Sequence, residues 1–330
     1  MKSRMRNAAR RVAAACGLVA SLAVAGPTSA QAYPSRPIRL VLPYPPGGLS
    51  DVIARAFAQK MADSLGQPLV LDNVPGAGST VGTSAVARAA PNGYTLLFAY
   101  SSGLTIGPGL YAKPGYDPIA SFAPIGTVAR FFYALVSNAS LPVANVRELV
   151  AYARQNPGKV ALGTPGIGAT PHLMGEMFNA SSGVDILHVP YKGGGPLMVD
   201  LLGGRVALAW DGIANLQSGI QAGKLKPLAV TTPARMPEYP NVQTVHEAGI
   251  PDLAIFTWTA LLAPAGTPKE ITQKLEDALA KALAAPDVRE AYASRGLEVY
   301  VNKPEQVTEL MKKELPQWAA VIKRANVKVE

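Results

Sequence analysis

Two glycine-rich turns, each set between an apolar β-type run and a helix-forming run, constrain this chain more than any other feature. The first is Leu42-Pro43-Tyr44-Pro45-Pro46-Gly47-Gly48-Leu49-Ser50-Asp51, and the second is Gly163-Thr164-Pro165-Gly166-Ile167-Gly168-Ala169-Thr170-Pro171-His172. A strand that passes through such a turn into a helix leaves the first helical N–H groups without intrahelical acceptors. The helix dipole adds partial positive charge at the same end. Each turn is therefore a ready anion site. Neither stretch contains Lys or Arg, so the donors are main chain. Two such turns, about 120 residues apart, read as half-sites closing on one small carboxylate.

Around the turns the chain alternates short β-branched or aromatic runs with longer helical patterns, the signature of an α/β fold. Residues 38–43 read as a strand. Residues 51–65 read as a helix, with Ile53, Phe57, Met61 and Leu65 at four-residue steps and Gly66 as its stop. Further strands are expected over 69–71, 94–100, 133–137, 160–162, 186–189, 206–210, 227–231 and 297–301. Helices are expected over 79–89, 146–155, 172–179, 196–202, 215–222, 268–284 and 304–324. Thr267-Pro268-Lys269-Glu270 has the form of a capping box. The stretch between the strands at 94–100 and 133–137 reads as irregular. Two lobes are expected, residues 33–130 with 257–330 and residues 131–256, joined by short hinge strands because no long linker marks either crossing.

The first 32 residues read as a removable secretory signal. Lys2, Arg4, Arg6, Arg10 and Arg11 form a basic start, residues 12–25 are apolar, and Ala30-Gln31-Ala32 is a cleavage signal. The apolar run is shorter than the ~20 residues a membrane span needs. Arg10-Arg11 and Cys16 fit a twin-arginine or lipoprotein signal poorly; Ala13-Ala14-Ala15 lacks the branched residue a lipoprotein site uses. Without this segment the formal charge falls from +9 to +4, because five basic residues go with it. The remaining Lys and Arg are scattered or lie on amphipathic helices, which reads as solvated surface rather than a nucleic-acid stripe. Cys16 is the one cysteine, so residues 33–330 have no disulfide or thiol chemistry.

The chemical motifs each admit a plainer reading. Gly47-Gly48 can be a tight turn only, although Pro45-Pro46 stiffens the approach and bare glycine backbone lets a ligand come close. Asp51 suits a capping or positioning role better than ligand contact, since its charge repels a carboxylate. Gly76-Ala77-Gly78-Ser79-Thr80-Val81-Gly82 resembles a dinucleotide fingerprint with its third glycine one residue late. His172 and Glu176 can share a helix face, but two ligands make a poor metal site. Tyr191-Lys192-Gly193-Gly194-Gly195-Pro196 is a third glycine turn without Walker spacing. No nucleophile elbow or acid–base pair stands out, so an enzyme of this general fold is weakly supported. Tyr44, Tyr100, Phe131, Phe132, Tyr191 and Trp210 flank turns or crossings; they can pack, or wall an aromatic ligand.

These turns and their surroundings resemble the extracytoplasmic receptors of tripartite tricarboxylate transporters, often called Bug receptors. The matching stretches are PYPPGGLSDVIAR at 43–55, NVPGAGSTVG at 73–82, PNGYTL at 91–96, GIGATPHLMGEMF at 166–178, HVPYKGGGPLMVDLLGG at 188–204 and APAGT at 263–267. The resemblance implies a two-lobed, type II-like periplasmic binding protein with two hinge crossings. It implies a carboxylate held largely by main chain and water, transient membrane transporter partners, a monomer, and no cofactor or metal. The ligand-binding set it implies is Tyr44, Pro46, Gly47, Gly48, Ser50 and Asp51; Ser101; Gly166, Gly168, Ala169, Thr170 and His172; Tyr191; and Asp211. A sensory receptor presenting its closed form to a two-component sensor is the alternative. Leu49 and Ala169 stand where the family more often has polar residues, which favours a monocarboxylate or an aromatic or apolar-tailed acid over citrate. Gly48→Val is expected to block binding, with added strain if φ is positive there.

Overall fold

The structure is a computed structural model that describes residues 33–327. The signal segment expected over 1–32 lies outside the described residues. All elements named here belong to one compact unit that begins at Arg36.

β1 (Ile38–Leu42) lies between β2 (Leu69–Asn73) and β3 (Thr95–Tyr100), parallel to both. Covered on both faces, it reads as a nearly continuous apolar run; Ile38, Leu40, Val41 and Leu42 are all buried. Between β1 and β2 runs α1 (Leu49–Leu65), which buries the expected stripe of Ile53, Phe57, Met61 and Leu65. Each such side chain contributes about 1.5–3 kcal/mol by leaving water. Gly66 ends the helix at φ +72°, and its N–H bonds to the Ala62 carbonyl at 2.9 Å. A short 3₁₀ turn (Ala77–Ser79) precedes α2 (Thr80–Ala87), and a π-helical turn (Ser102–Ile106) precedes α3 (Gly107–Leu110).

β4 (Phe122–Asn138) corrects the sequence reading. Its 17 residues replace a stretch read as irregular up to 133, so this crossing is one long strand and not a short hinge. From Phe122 to Phe132 it pairs antiparallel with β9 (Phe256–Pro264). From Tyr133 onward it pairs instead with β7 (Leu208–Gly212) and β8 (Leu225–Val230). The register with β9 shifts between Pro124 and Gly126 and again between Thr127 and Arg130. These irregularities hide the period-2 pattern from a local reading.

The second lobe repeats the parallel plan. β5 (Ala161–Thr164) lies between β6 (Leu187–Pro190) and β7, parallel to both. The full order is β2-β1-β3-β9-β4-β7-β5-β6, with β8 and the two-residue β10 (Glu298–Val299) also on β4. Helices α4 (Val146–Gln155), α5 (Thr170–Ser182), α6 (Gly194–Leu202) and α7 (Ile213–Gln221) belong to this lobe. One buried cluster joins Val41, Leu97, Trp258 and Met311, and two draw on residues between Tyr133 and Leu253, while a fourth spans the lobes by joining Ile106, Trp318, Val321 and Ile322 to Leu173 of α5.

After β9 come α8 (Lys269–Ala284), α9 (Pro286–Ala293) and α10 (Pro304–Arg324). The capping box read at 267–270 does not form. Pro268 takes the cap position without a side-chain bond, and the Thr267 hydroxyl turns back to the Pro264 carbonyl at 2.8 Å. α9 is not among the expected helices; extended Ala285 divides it from α8 and leaves it as a short helix of its own. α10 is tied to the rest of the first lobe through half-buried Glu314, which accepts from Trp258 Nε1 at 2.7 Å and Thr105 Oγ1 at 2.9 Å. No helix among the described residues is long and apolar enough to cross a membrane.

Candidate functional site

The first glycine turn leaves the C-terminal end of β1 and enters α1, at the edge where ligands gather in parallel sheets. Its positive φ lies at Gly47 (+80°), while Gly48 has φ −83° and caps the helix without a side-chain bond. The strain expected for a side chain at Gly48 therefore falls on Gly47. The turn is braced from behind. Buried Asp51 accepts the Gly47 N–H at 3.0 Å and the Asn73 amide at 2.8 Å, and Asn73 also donates to the Tyr44 carbonyl at 3.1 Å. The Gly47 N–H, ahead of Asn73 and Arg55, holds the Asp51 carboxyl below its ordinary value of 3.8. The N–H groups of Gly48, Leu49 and Ser50 have no acceptor among the described residues.

The second turn leaves β5 and enters α5 with the same construction and different chemistry. The Gly168 N–H, four residues before His172, donates to His172 Nδ1 at 3.0 Å. That bond fixes the His172 proton on Nε2, which lies 3.6 Å from Glu176 Oε1. The His172 ring stacks on His188 with centroids 3.8 Å apart and 9° between planes; His188 Nε2 meets Thr164 Oγ1 at 2.6 Å. Burial, and secondly the neighbouring His188, lower the His172 pKa from 6.5 to about 4, so the ring is neutral at pH 7. Gly166 (φ +153°) and Gly168 (φ +77°) adopt backbone that a side chain would strain. The N–H groups of Gly166, Ile167 and Thr170 have no acceptor among the described residues.

Between the lobes lies a cavity of about 880 Å³. Six of the residues expected from the sequence border it: Tyr44, Pro46, Gly47, Gly48, Ser50 and Asp211. The second turn reaches it through Pro165 and Pro171, the two ends of the turn, and not through Gly166, Gly168, Ala169 or Thr170. Asp51 and His172 sit behind their turns as braces. Ser101 is buried and its carbonyl accepts from Thr105 Oγ1 at 2.9 Å. Tyr191 gives its hydroxyl to Asp200 at 2.8 Å and does not border the cavity; Gly194 of the same glycine turn does.

An aromatic wall crosses from one lobe to the other. Tyr44 meets Tyr100 at 4.7 Å between centroids, Tyr100 meets Phe131 at 6.2 Å, and Phe131 meets Tyr133 at 5.5 Å; all four border the cavity. Strand alternation sends Phe132 to the opposite face, against Phe256 and Arg130. Trp210 is core. The Tyr133 hydroxyl meets Thr257 Oγ1 at 2.5 Å, and burial pushes it up to about 12 against the pull of that bond and of the Thr170 side chain. Sequence reasoning missed the loop at 294–297, which borders the cavity through Ser294, Arg295 and Gly296. At Gly296 (φ +63°) a Cβ would lie 2.9 Å from Ala214 Cβ, so the lobes already touch there. No local signal marks this loop, because β10 and α9 place it from more than 240 residues beyond the first turn. Among the described residues no group of three or more His, Cys, Asp or Glu could hold a metal ion.

A mixed α/β sheet shared by two lobes, with a cavity between them walled by helix-starting glycine turns, defines a periplasmic binding protein. Residues 53–327 match the tripartite tricarboxylate transporter family receptor, and the chain belongs to that family of periplasmic solute-binding receptors. It is 36% identical over 322 residues to Protein BugT of Bordetella pertussis, covering 97% of this chain and 99% of the relative. Among solved structures it is similar to R. palustris Rpa4515 with adipate (TM-score 0.79, 34% identity, 90% of this chain and 99% of that one). It is also similar to MatC from Rhodopseudomonas palustris with bound malate (TM-score 0.77, 31% identity, 88% and 100%).

Proposed function

We propose that this protein is an exported receptor that captures a small carboxylate between its lobes and delivers it, as a monomer, to the membrane subunits of a tripartite transporter. It acts by binding and not by catalysis. The observation that carries the reading is the pair of opposed glycine turns. Each withdraws one N–H onto a brace and leaves others without a protein acceptor, and neither contains a basic side chain. Arg130, the nearest basic residue at the crossing, is engaged by Glu298 at 2.8 Å and lies among Phe132, Phe256 and Tyr300. Relatives that hold adipate and malate support a carboxylate. The lobes, 33–130 with 257–330 and 131–256, close by bending β4 and β9, and closure excludes water from the bound carboxylate.

The wall of Tyr44, Tyr100, Phe131 and Tyr133 supports an acid with an apolar or aromatic body over citrate, whose three carboxylates each need donors. Calorimetric titration of ligand-stripped protein with citrate, glutamate, adipate, nicotinate and benzoate tests this. An aromatic or apolar-bodied acid is expected to bind near micromolar, about −8 kcal/mol. Tight citrate binding without any response to the other acids would overturn the ligand assignment.

A further inference from the structure

Asp211 is the acidic group bordering the cavity, and no basic side chain among the described residues pairs with it. It is the penultimate residue of β7, beside the aromatic wall, paired in register with Ala134. Its neighbour Gly212 packs toward Phe131, whose ring atoms lie 3.6 Å from the Gly212 Cβ position. Both donors to its carboxylate converge on one oxygen: the Gly212 N–H at 2.7 Å and Asn215 Nδ2 at 3.0 Å both reach Oδ1. Oδ2 has no donor among the described residues. Among the described residues the one basic side chain bordering the cavity, Arg295, donates instead to the Ala291 carbonyl at 3.0 Å and to Ser294 Oγ at 3.3 Å.

A half-buried carboxylate with an open acceptor is destabilising in a cavity built to take an anion, because two carboxylates repel and each loses hydration. The arrangement becomes favourable when the ligand supplies the missing donor. We propose that the ligand is a hydroxy- or amino-substituted acid. Its carboxylate meets the glycine turns, and its hydroxyl or amino group donates to Asp211 Oδ2 at the Phe131–Tyr133 end of the wall. This rests on the carboxylate-receptor reading above. The first turn belongs to one lobe and Asp211 to the other, so such a ligand engages both lobes only when they close. Burial raises the Asp211 pKa, opposed by the Asn215 and Gly212 bonds; a donor on the ligand would act in the same sense as those bonds.

The test is calorimetric titration of ligand-stripped protein with matched acids: benzoate, 4-hydroxybenzoate, 4-aminobenzoate and terephthalate, and succinate, malate and aspartate. In at least one series the donor-bearing acid is expected to bind about tenfold or more tighter than its parent. Asp211→Asn keeps an acceptor for Gly212 and Asn215 but places an NH₂ donor where Oδ2 was, so it should abolish or reverse that preference. Equal binding of parent and substituted acid by the native protein would overturn the proposal, as would an unchanged preference in Asp211→Asn. A larger gain from the second carboxylate of terephthalate would overturn it too, since Asp211 would then be donating. If parents bind without a donor preference, the receptor reading stands and this inference falls. If no acid binds, both fall.

Discussion

The two glycine turns are built alike and held differently. Each bends the N–H of a positive-φ glycine back onto a side chain four residues on: Gly47 onto Asp51, and Gly168 onto His172, both at 3.0 Å. The first brace is a charged carboxylate tied into three groups, Gly47, Asn73 and Arg55. The second is a neutral imidazole stacked on another imidazole. The backbone plan of the two turns is therefore alike, but the side chain bracing the first is a charged carboxylate and the one bracing the second is a neutral ring. Bonds to charged groups are about twice as strong as neutral ones. The first turn is thus the stiffer of the two, and the second the more easily released.

The largest effect that can break this comparison is at the ligand face of the stiffer turn. Gly48→Val places a branched side chain into the cavity, with nothing nearer to its Cβ than the Pro45 carbonyl at 3.8 Å. The fold should survive, because φ there is −83°, while affinity for the cognate acid should fall at least about 100-fold. Unchanged affinity by calorimetry would remove the first turn from the binding surface.

Next is the difference between the braces. Asp51→Ala removes the charged acceptor shared by the Gly47 N–H, the Asn73 amide and Arg55 and should lower unfolding free energy by about 2–3 kcal/mol, whereas His172→Ala removes the neutral acceptor of the Gly168 N–H and should cost about 1–2 kcal/mol. Urea denaturation of both variants checks the order. A larger loss at His172 would mean that the stacked histidines, and not the charge, carry the stiffness.

The smallest effect is in pH. His172 binds a proton only near pH 4 when folded but near 6.5 when unfolded. Acidification from 6.5 to 4 therefore favours the unfolded form and weakens the second turn, because the protonated Nδ1 can no longer accept from Gly168. Asp51 is held below 3.8, so its contribution is present above that value and lost only as pH falls below it. The Gly168 amide resonance should shift before the Gly47 amide on acid titration. The reverse order would show that the braces were assigned to the wrong turns.

What could be read from the sequence was local. Ile53, Phe57, Met61 and Leu65 with Gly66 specify α1 without help from elsewhere, and both glycine turns announce themselves by strand, glycines and helix. β4 was legible only from Tyr133, because Pro124 and Gly126 sit at a register shift and interrupt the alternation that marks a strand. Thr267 has the right neighbours for a cap, but its hydroxyl is taken by the preceding turn. The site divides in the same way. Tyr44, Gly47 and Gly48, which border the cavity, belong to a turn that marks itself locally, while Ser294, Arg295 and Gly296 arrive there by tertiary placement. Asn73, which ties the end of β2 to the Tyr44 carbonyl and to Asp51, was visible as part of a motif but not as a brace.

Because β4 runs unbroken from its ladder with β9, Phe122–Pro264 to Phe132–Phe256, into its ladders with β7 and β8, the two turns never sit on independent bodies. Two domains on a loose tether would have to surrender much of their relative rotation and translation when a ligand joined them, and that loss would subtract from affinity. Here folding has already fixed most of that orientation. Each turn sees the other at a high effective concentration before any ligand arrives, and the contact between Gly296 and Ala214 narrows the remaining freedom further. On the function proposed above, a molecule with only a handful of heavy atoms, too small to hold two free domains together, would therefore still suffice to bridge this pair.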